Sequence, residues 1–235
     1  MNNWKKIWEA KGNSFIEKED VFEMFCELKK ANGFDVQTDD NYYKNFWLQW
    51  HNTAEKVKSL SDGFKSVYEV GCGSGVNLYM FQQLYGILEL GGMDYSNSLL
   101  NIAKSVLNKP SLICDEAINL NIMPKYDFVL ADSVFQYFES SDYGMKVLEK
   151  MYQKAEKIIV ITEIHDIEQR DLLLEHRRAS VENYDELYKG LDKTFYSKND
   201  FEEFAESHNC KIEIAKPQND SYWNNEYVFD CYFIK

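Results

Sequence analysis

A chain of 235 residues, 45% hydrophobic and 15% aromatic, has enough apolar mass for one large α/β domain or two small ones, and one is the better expectation. Its formal net charge of −13 argues against nucleic acid and anionic membrane surfaces as partners, because phosphate contacts need a basic patch. The five cysteines (Cys26, Cys72, Cys114, Cys210, Cys231) include no CxxC pair and the four histidines no HExxH, so no metal site is indicated and the thiols read as reduced and mostly buried.

In chain order, "MNNWKKIWEAKGNSF" lacks the unbroken apolar segment of a signal peptide, and no stretch approaches the roughly 20 apolar residues that span a bilayer. A cytoplasmic protein is the expectation. Residues 1–60 read as helical: Trp4 and Trp8 are four apart, and "DVFEMFCELKK" and "NYYKNFWLQWHNTAEKV" repeat apolar residues at helical spacing, with "NGFD" (32–35) as the turn between them. Beyond Ser66, strands and helices alternate. Strands are predicted at Val67–Val70, Leu88–Met93, Leu112–Cys114, Phe128–Ala131 and Ile158–Ile161, with helices at 76–85, 97–107 and 142–156. Such alternation specifies a parallel sheet covered on both faces. A charged helical region (167–191), a helix Asn199–His208, a strand "KIEIA" and a last strand "YVFDCYFI" complete the chain.

Three of the 11 glycines, Gly71, Gly73 and Gly75, fall within five positions in "YEVGCGSGVN", between the first strand and the helix that follows. Glycine there admits positive φ and close approach by a ligand, and that strand end lies near a topological switch point, where open α/β sheets bind ligands. A phosphate loop would end in GK[ST]; this one ends in Gly75-Val76-Asn77. A dinucleotide fingerprint wants glycine at position 76, and Val76 weakens that reading without removing it.

With Glu69 two residues before the first glycine, the E-x-G-x-G-x-G segment resembles the first motif of class I S-adenosylmethionine-dependent methyltransferases, and the likeness runs from about Ser66 to Ile164. It implies a seven-stranded, mostly parallel Rossmann-like sheet in the order 3-2-1-4-5-7-6 with the last strand antiparallel. It also implies a helical cap over 1–60 and a methyltransferase domain over 61–235, with an acceptor-side helical insertion about 167–195. S-adenosylmethionine would be the methyl donor and S-adenosylhomocysteine the product. The donor's contacts would come from Glu69, Gly71, Cys72, Gly73 and Gly75; from Asp94, Tyr95 and Ser96 after the second strand; from Asp115, Glu116 and Ala117 after the third; and from Asp132 and Ser133 after the fourth. Asp94, some 20 residues past the glycines, stands where a ribose-binding acid is expected. Each of these acids can equally be a solvated turn residue or a helix cap.

Methyl transfer from a sulfonium asks the protein mainly to align the acceptor and exclude water. A hydroxyl acceptor would want a base, for which His165, Asp132 and Tyr137 are the candidates, whereas a pre-existing anion would want little help. All three arginines fall between 170 and 178, so Arg170 and Arg177 read either as an acceptor-anion clamp or as part of a solvated helix. Tyr42, Tyr43 and Trp47 are the aromatic candidates for the acceptor wall. "IWEAKG", "GFD" and "SVFQYF" further resemble bacterial methyltransferases of surface-polysaccharide clusters, some of which methylate sugars or phosphoramidates. The combined expectation is O-methylation of a small sugar, phosphate-type or carboxylate-bearing molecule, with a homodimer compatible with the sequence. A nicotinamide-dependent oxidoreductase and a non-catalytic donor-binding scaffold stand as alternatives.

Overall fold

The computed structural model describes residues 4–12, 14–34, 41–217, 219 and 222–235. Three helices come first: α1 (Trp4–Glu9), α2 (Val21–Ala31) and α3 (Tyr42–Leu60). The turn expected at 32–35 is present at Asn32 and Gly33, and Asp35 lies outside the described residues. The Asp20 carboxylate starts α2 by accepting from the Glu23 N–H at 2.9 Å.

Alternation then begins with β1 (Ser66–Val70), α4 (Val76–Tyr85), β2 (Glu89–Asp94), α5 (Asn97–Val106), β3 (Ser111–Cys114), β4 (Tyr126–Asp132), α6 (Ser141–Lys154) and β5 (Ala155–His165). Helices α7 (Arg170–Ser180), α8 (Tyr184–Leu187) and α9 (Lys198–Ser207) follow, and β6 (Lys211–Ala215) and β7 (Val228–Ile234) close the chain. The seven strands order as β3-β2-β1-β4-β5-β7-β6, with β7 antiparallel to both β5 and β6, as expected.

Period-two alternation sends the strand side chains into two cores. Phe128, Leu130, Ile158 and Val160 pack with α2, α3, α4 and α5 on one face, while Val129, Ala131, Ile159 and Ile161 pack with α6 and α9 on the other. Helix α4 lies between the sheet and the N-terminal helices, which is why all of Val76–Phe81 is buried; Trp50 of α3 packs on Phe81 in a tilted pair with ring centroids 4.9 Å apart.

Two elements differ from expectation. β5 runs from Ala155 to His165, well beyond Ile158–Ile161, because it is paired on both sides and its polar ends join the ladders of β4 and β7. That lengthening stops α6 at Lys154 rather than 156. The charged region at 167–191 is broken into a 3-10 turn (Ile167–Gln169), α7 and α8, the last break falling at Asn183 with its left-handed φ of 55°. Asp166 forms a bridge with Tyr196, and the Tyr196 N–H donates to the His165 carbonyl at 2.8 Å, so the segment is anchored where it leaves and where it returns. No helix among the described residues is long and apolar enough to cross a membrane.

Candidate functional site

β1 is followed by a turn at the junction where the strand order reverses between β1 and β4. Gly71 takes φ +74°, and a Cβ there would stand 2.5 Å from Val134 Cγ2; Gly73 takes φ +51°, and its Cβ would stand 2.6 Å from Asn32 Oδ1. Any other residue at either place would be strained and crowded. The turn is pinned to β2, since the N–H groups of Gly71 and Cys72 both donate to the Met93 carbonyl, at 2.7 and 3.0 Å. It is pinned to α2 as well: the Ser74 N–H donates to Asn32 Oδ1 and the Ser74 hydroxyl to the Leu28 carbonyl, each at 2.9 Å.

A cleft of about 180 Å³ opens over this turn. Of the expected donor contacts, Gly71, Gly73, Asp94, Tyr95, Asp115, Glu116, Ala117, Asp132 and Ser133 line it, as does Tyr137. Asp94 Oδ2 accepts from the Gly73 N–H at 2.9 Å and Oδ1 from the Ser96 N–H at 2.8 Å. Burial raises its pKa while these two backbone donors lower it. A carboxylate has about four lone-pair positions, so two stay open toward the cleft. Asp115, exposed on the rim, accepts from Asn119 Nδ2 at 2.8 Å and from the Glu116 N–H at 2.7 Å, which hold its carboxyl below the ordinary carboxylate range.

The other expected donor residues stand behind the cleft. Cys72 is buried against Gly92, Gly75 packs on Ala103 at the start of α4, and Ser96 caps α5 while its hydroxyl donates to the Trp8 carbonyl at 3.0 Å. Glu69 is 2% exposed, and burial drives its pKa well up. Asn77 Nδ2 bridges Glu69 Oε1 at 2.7 Å and Asp132 Oδ2 at 3.0 Å, while Asp132 Oδ1 accepts from the Thr162 hydroxyl.

The expected acceptor-side residues do not line the cleft. Tyr42 packs on Phe46 and Trp47 on Phe22 and Phe25, while the Tyr43 hydroxyl donates to the Phe34 carbonyl at 2.6 Å and so holds a cleft residue from behind. Arg170 lies over Phe195 and Arg177 over Trp223. His165 is 1% exposed, and burial together with Lys193 and Arg177 pushes its pKa well down.

Several lining residues escaped the sequence reading, among them Trp8, Lys29, Asn32 and Phe34. Lys29 was discoverable: it falls four positions after Phe25, on the face α2 buries, and a lysine on such a face needs a reason. Its ammonium is 3.8 Å from Asp132 Oδ2 and 4.7 Å from the Phe34 ring centre. Glu163, one of the acids that "IVITEIHD" places at the end of the fifth strand, stands apart from the ladder. A bulge between Ile161 and Ile164 turns it out of the ladder at φ 54°, where its N–H donates to Asp230 Oδ1 at 2.9 Å. Bulges of this kind re-aim side chains beside active sites. Burial, with Asp132 nearby, pushes its pKa up to about 7.

The cleft thus combines a left-handed glycine turn, one acid with two open acceptor positions, apolar walls from Met93, Leu99 and Phe138, and a Lys29–Asp132 pair of opposite charge. These features fit an adenosyl group carrying an amino-acid end: Asp94 can take two ribose hydroxyls, the walls can take the base, and the ion pair matches a zwitterion. Residues 67–157 match the model of a family described as a methyltransferase domain. The match covers less than half of the chain, and it spans the glycine turn and the strands β1 to β4 whose ends surround the cleft.

Among relatives, the chain is 26% identical over 141 residues to a malonyl-[acyl-carrier protein] O-methyltransferase of Priestia megaterium, covering 57% of this chain and 50% of that protein. It is 28% identical over 129 residues to malonyl-[acyl-carrier protein] O-methyltransferase 1 of Ilyobacter polytropus, covering 48% and 47%. The chain therefore spans about half the length of the curated relatives it matches. Among solved structures, the plantazolicin methyltransferase BpumL with S-adenosylhomocysteine superposes with a TM-score of 0.64 at 17% identity, over 99% of this chain and 97% of that one. Magnesium protoporphyrin IX methyltransferase of Synechocystis PCC 6803 gives 0.60 at 15% identity, over 92% and 100%. At such identities these two speak for the fold.

Proposed function

We propose that the chain transfers a methyl group from S-adenosylmethionine to a carboxylate oxygen of a small acceptor. One observation carries the donor assignment: the Asp94 carboxylate, fixed by Gly73 and Ser96, faces the cleft with acceptor capacity to spare. When bound, the sulfonium supplies an already activated methyl electrophile. The protein's share is to hold the ribose at Asp94, the base between Met93, Leu99 and Asp115, and the amino-acid end near Lys29 and Asp132. Trp8, Phe34 and Phe138 keep water from the reacting line.

A carboxylate acceptor is supported by the malonyl relatives, which are named as O-methyltransferases of an acid-bearing thioester. None of the relatives named above is named for a sugar or a phosphoramidate. A carboxylate is anionic at neutral pH, so alignment rather than proton removal is the task, and neither His165 nor Tyr137 has to act as a base. In this reading Asp132 serves the donor, while Tyr137 and His165 contact the acceptor.

Calorimetry with S-adenosylhomocysteine tests the donor site, and its release from S-adenosylmethionine on addition of a malonyl thioester tests the acceptor class. Absence of binding heat removes the methyltransferase reading; binding with turnover on sugars but not on carboxylates removes the acceptor class.

A further inference from the structure

Tyr137 lines the cleft, and its ring also carries the Lys193 ammonium, 3.3 Å from the ring centre; the same ammonium lies 4.2 Å from the Trp4 ring centre. Near it, the Arg177 guanidinium lies over Trp223 at 5.0 Å, with Nε buried and without a hydrogen-bond partner. His165, at the end of β5 and 1% exposed, rests on Phe195 and leaves Nδ1 buried and equally unpartnered. Neither Arg177 nor Lys193 forms an ion pair with a described residue, whereas the adjacent Arg178 pairs with Asp185 at 3.1 Å. In a chain of net charge −13, two such cations without a direct ion pair among the described residues are unusual.

The groups sense one another. Burial and Arg177 push the Lys193 ammonium well below the usual lysine range, with Glu163 opposing them, and burial, helped by both cations, pushes His165 well down. Like charges drawn out of water in this way are costly unless an anion joins them.

We infer that Arg177, Lys193 and His165 form the seat of a single carboxylate on the methyl acceptor, joined to the donor cleft by Tyr137. This rests on the methyltransferase reading and specifies its acceptor. Arg177 offers a planar fork and Lys193 a point charge, and His165, with its proton on Nδ1, offers a third donor. Glu163 acts on Lys193 from the same site, and the negative charge it adds when ionised favours a singly charged carboxylate over a doubly charged phosphate. Trp4 and Tyr137 cover the Lys193 ammonium with aromatic surface, so a carboxylate that meets it sheds part of its water before it meets the donor.

The experiment is a calorimetric titration of the S-adenosylhomocysteine-loaded protein with monoethyl malonate, diethyl malonate and inorganic phosphate. It is repeated on Arg177→Gln and Lys193→Gln, with the affinity for S-adenosylhomocysteine as the check that each variant folds. Monoethyl malonate is expected to bind at least about tenfold more tightly than the neutral diester or phosphate, and each substitution to weaken it by about tenfold while donor-product affinity stays the same. Equal binding of the two esters, tightest binding of phosphate, no binding of monoethyl malonate, or wild-type affinity in both variants overturns the seat. Loss of this selectivity with donor-product binding intact sinks the seat alone; no donor-product binding in the wild type sinks the methyltransferase reading instead.

Discussion

The two sides of the cleft are built from different materials. On the donor side, contacts come from backbone: N–H groups of Gly71, Cys72, Gly73 and Ser74 are each committed to a named partner, and Asp94, the partner of Gly73, is held by one further N–H donor, that of Ser96. On the other side only Tyr137 of this group lines the cleft; behind it Glu163, His165, Arg177 and Lys193 bring long side chains from three further stretches of chain, and His165 and Arg177 leave buried polar atoms without a partner. A backbone-built wall is rigid and insensitive to side-chain change; a side-chain-built wall is strained, electrostatically tense and readily altered. A shared donor with variable acceptors calls for that division of labour.

The contrast can be broken most forcefully at the glycine turn. Gly71→Ala places a Cβ 2.5 Å from Val134 at φ +74°, and should cost about 3 kcal/mol of stability by urea unfolding, with donor-product binding lost. A stable variant that binds normally would show the turn to be less constrained than its geometry implies. Asp94→Ala removes the acceptor for Gly73 and Ser96 as well as the ribose contact; calorimetry should report donor affinity weaker by about 2–3 kcal/mol. Unchanged affinity would move the donor away from this acid.

On the other side, Glu163 titrates near 7 in the folded chain against 4.5 in the unfolded one. Its folded form holds the proton longer, so its contribution to stability is complete below about pH 4.5 and is lost as pH rises through 7. Glu163→Gln should therefore gain about 2 kcal/mol relative to wild type between pH 5 and 7, read from unfolding curves across that range. A difference that does not change with pH would mean that Glu163 is solvated. The smallest effect is expected at Ser74→Ala, where losing the hydroxyl donated to Leu28 should cost about 1 kcal/mol by urea unfolding and loosen α2 from the turn.

Much of the donor side could be read from sequence. The glycines follow a five-residue buried strand, Asp94 closes the next strand, and Asp115 and Asp132 follow in register, so local order in the chain maps directly onto neighbouring strand ends. The residues that were missed entered from a distance: Asn32 and Lys29 from α2, Trp8 from α1, Phe34 from the turn after α2. Tyr42, Tyr43 and Trp47 have the right chemistry, but their helix turns them into the N-terminal core or behind Phe34.

Strand periodicity and turn glycines were enough to specify a parallel sheet covered by helices and the strand end where a ligand would lie, because each depends on interactions among near neighbours or on a rule of chain connectivity; the strand order, the reversed last strand and the donor followed from the resemblance of the glycine and acid motifs to a known family. Which charges meet across the acceptor side depended on folding in three dimensions. Lys193 stands over Tyr137, and Glu163 leaves its ladder through a bulge, because β5 pairs with β7 some 65 residues onward and the 166–196 segment is fastened at both ends. No local pattern encodes that meeting, since the groups share a place and not a stretch of chain.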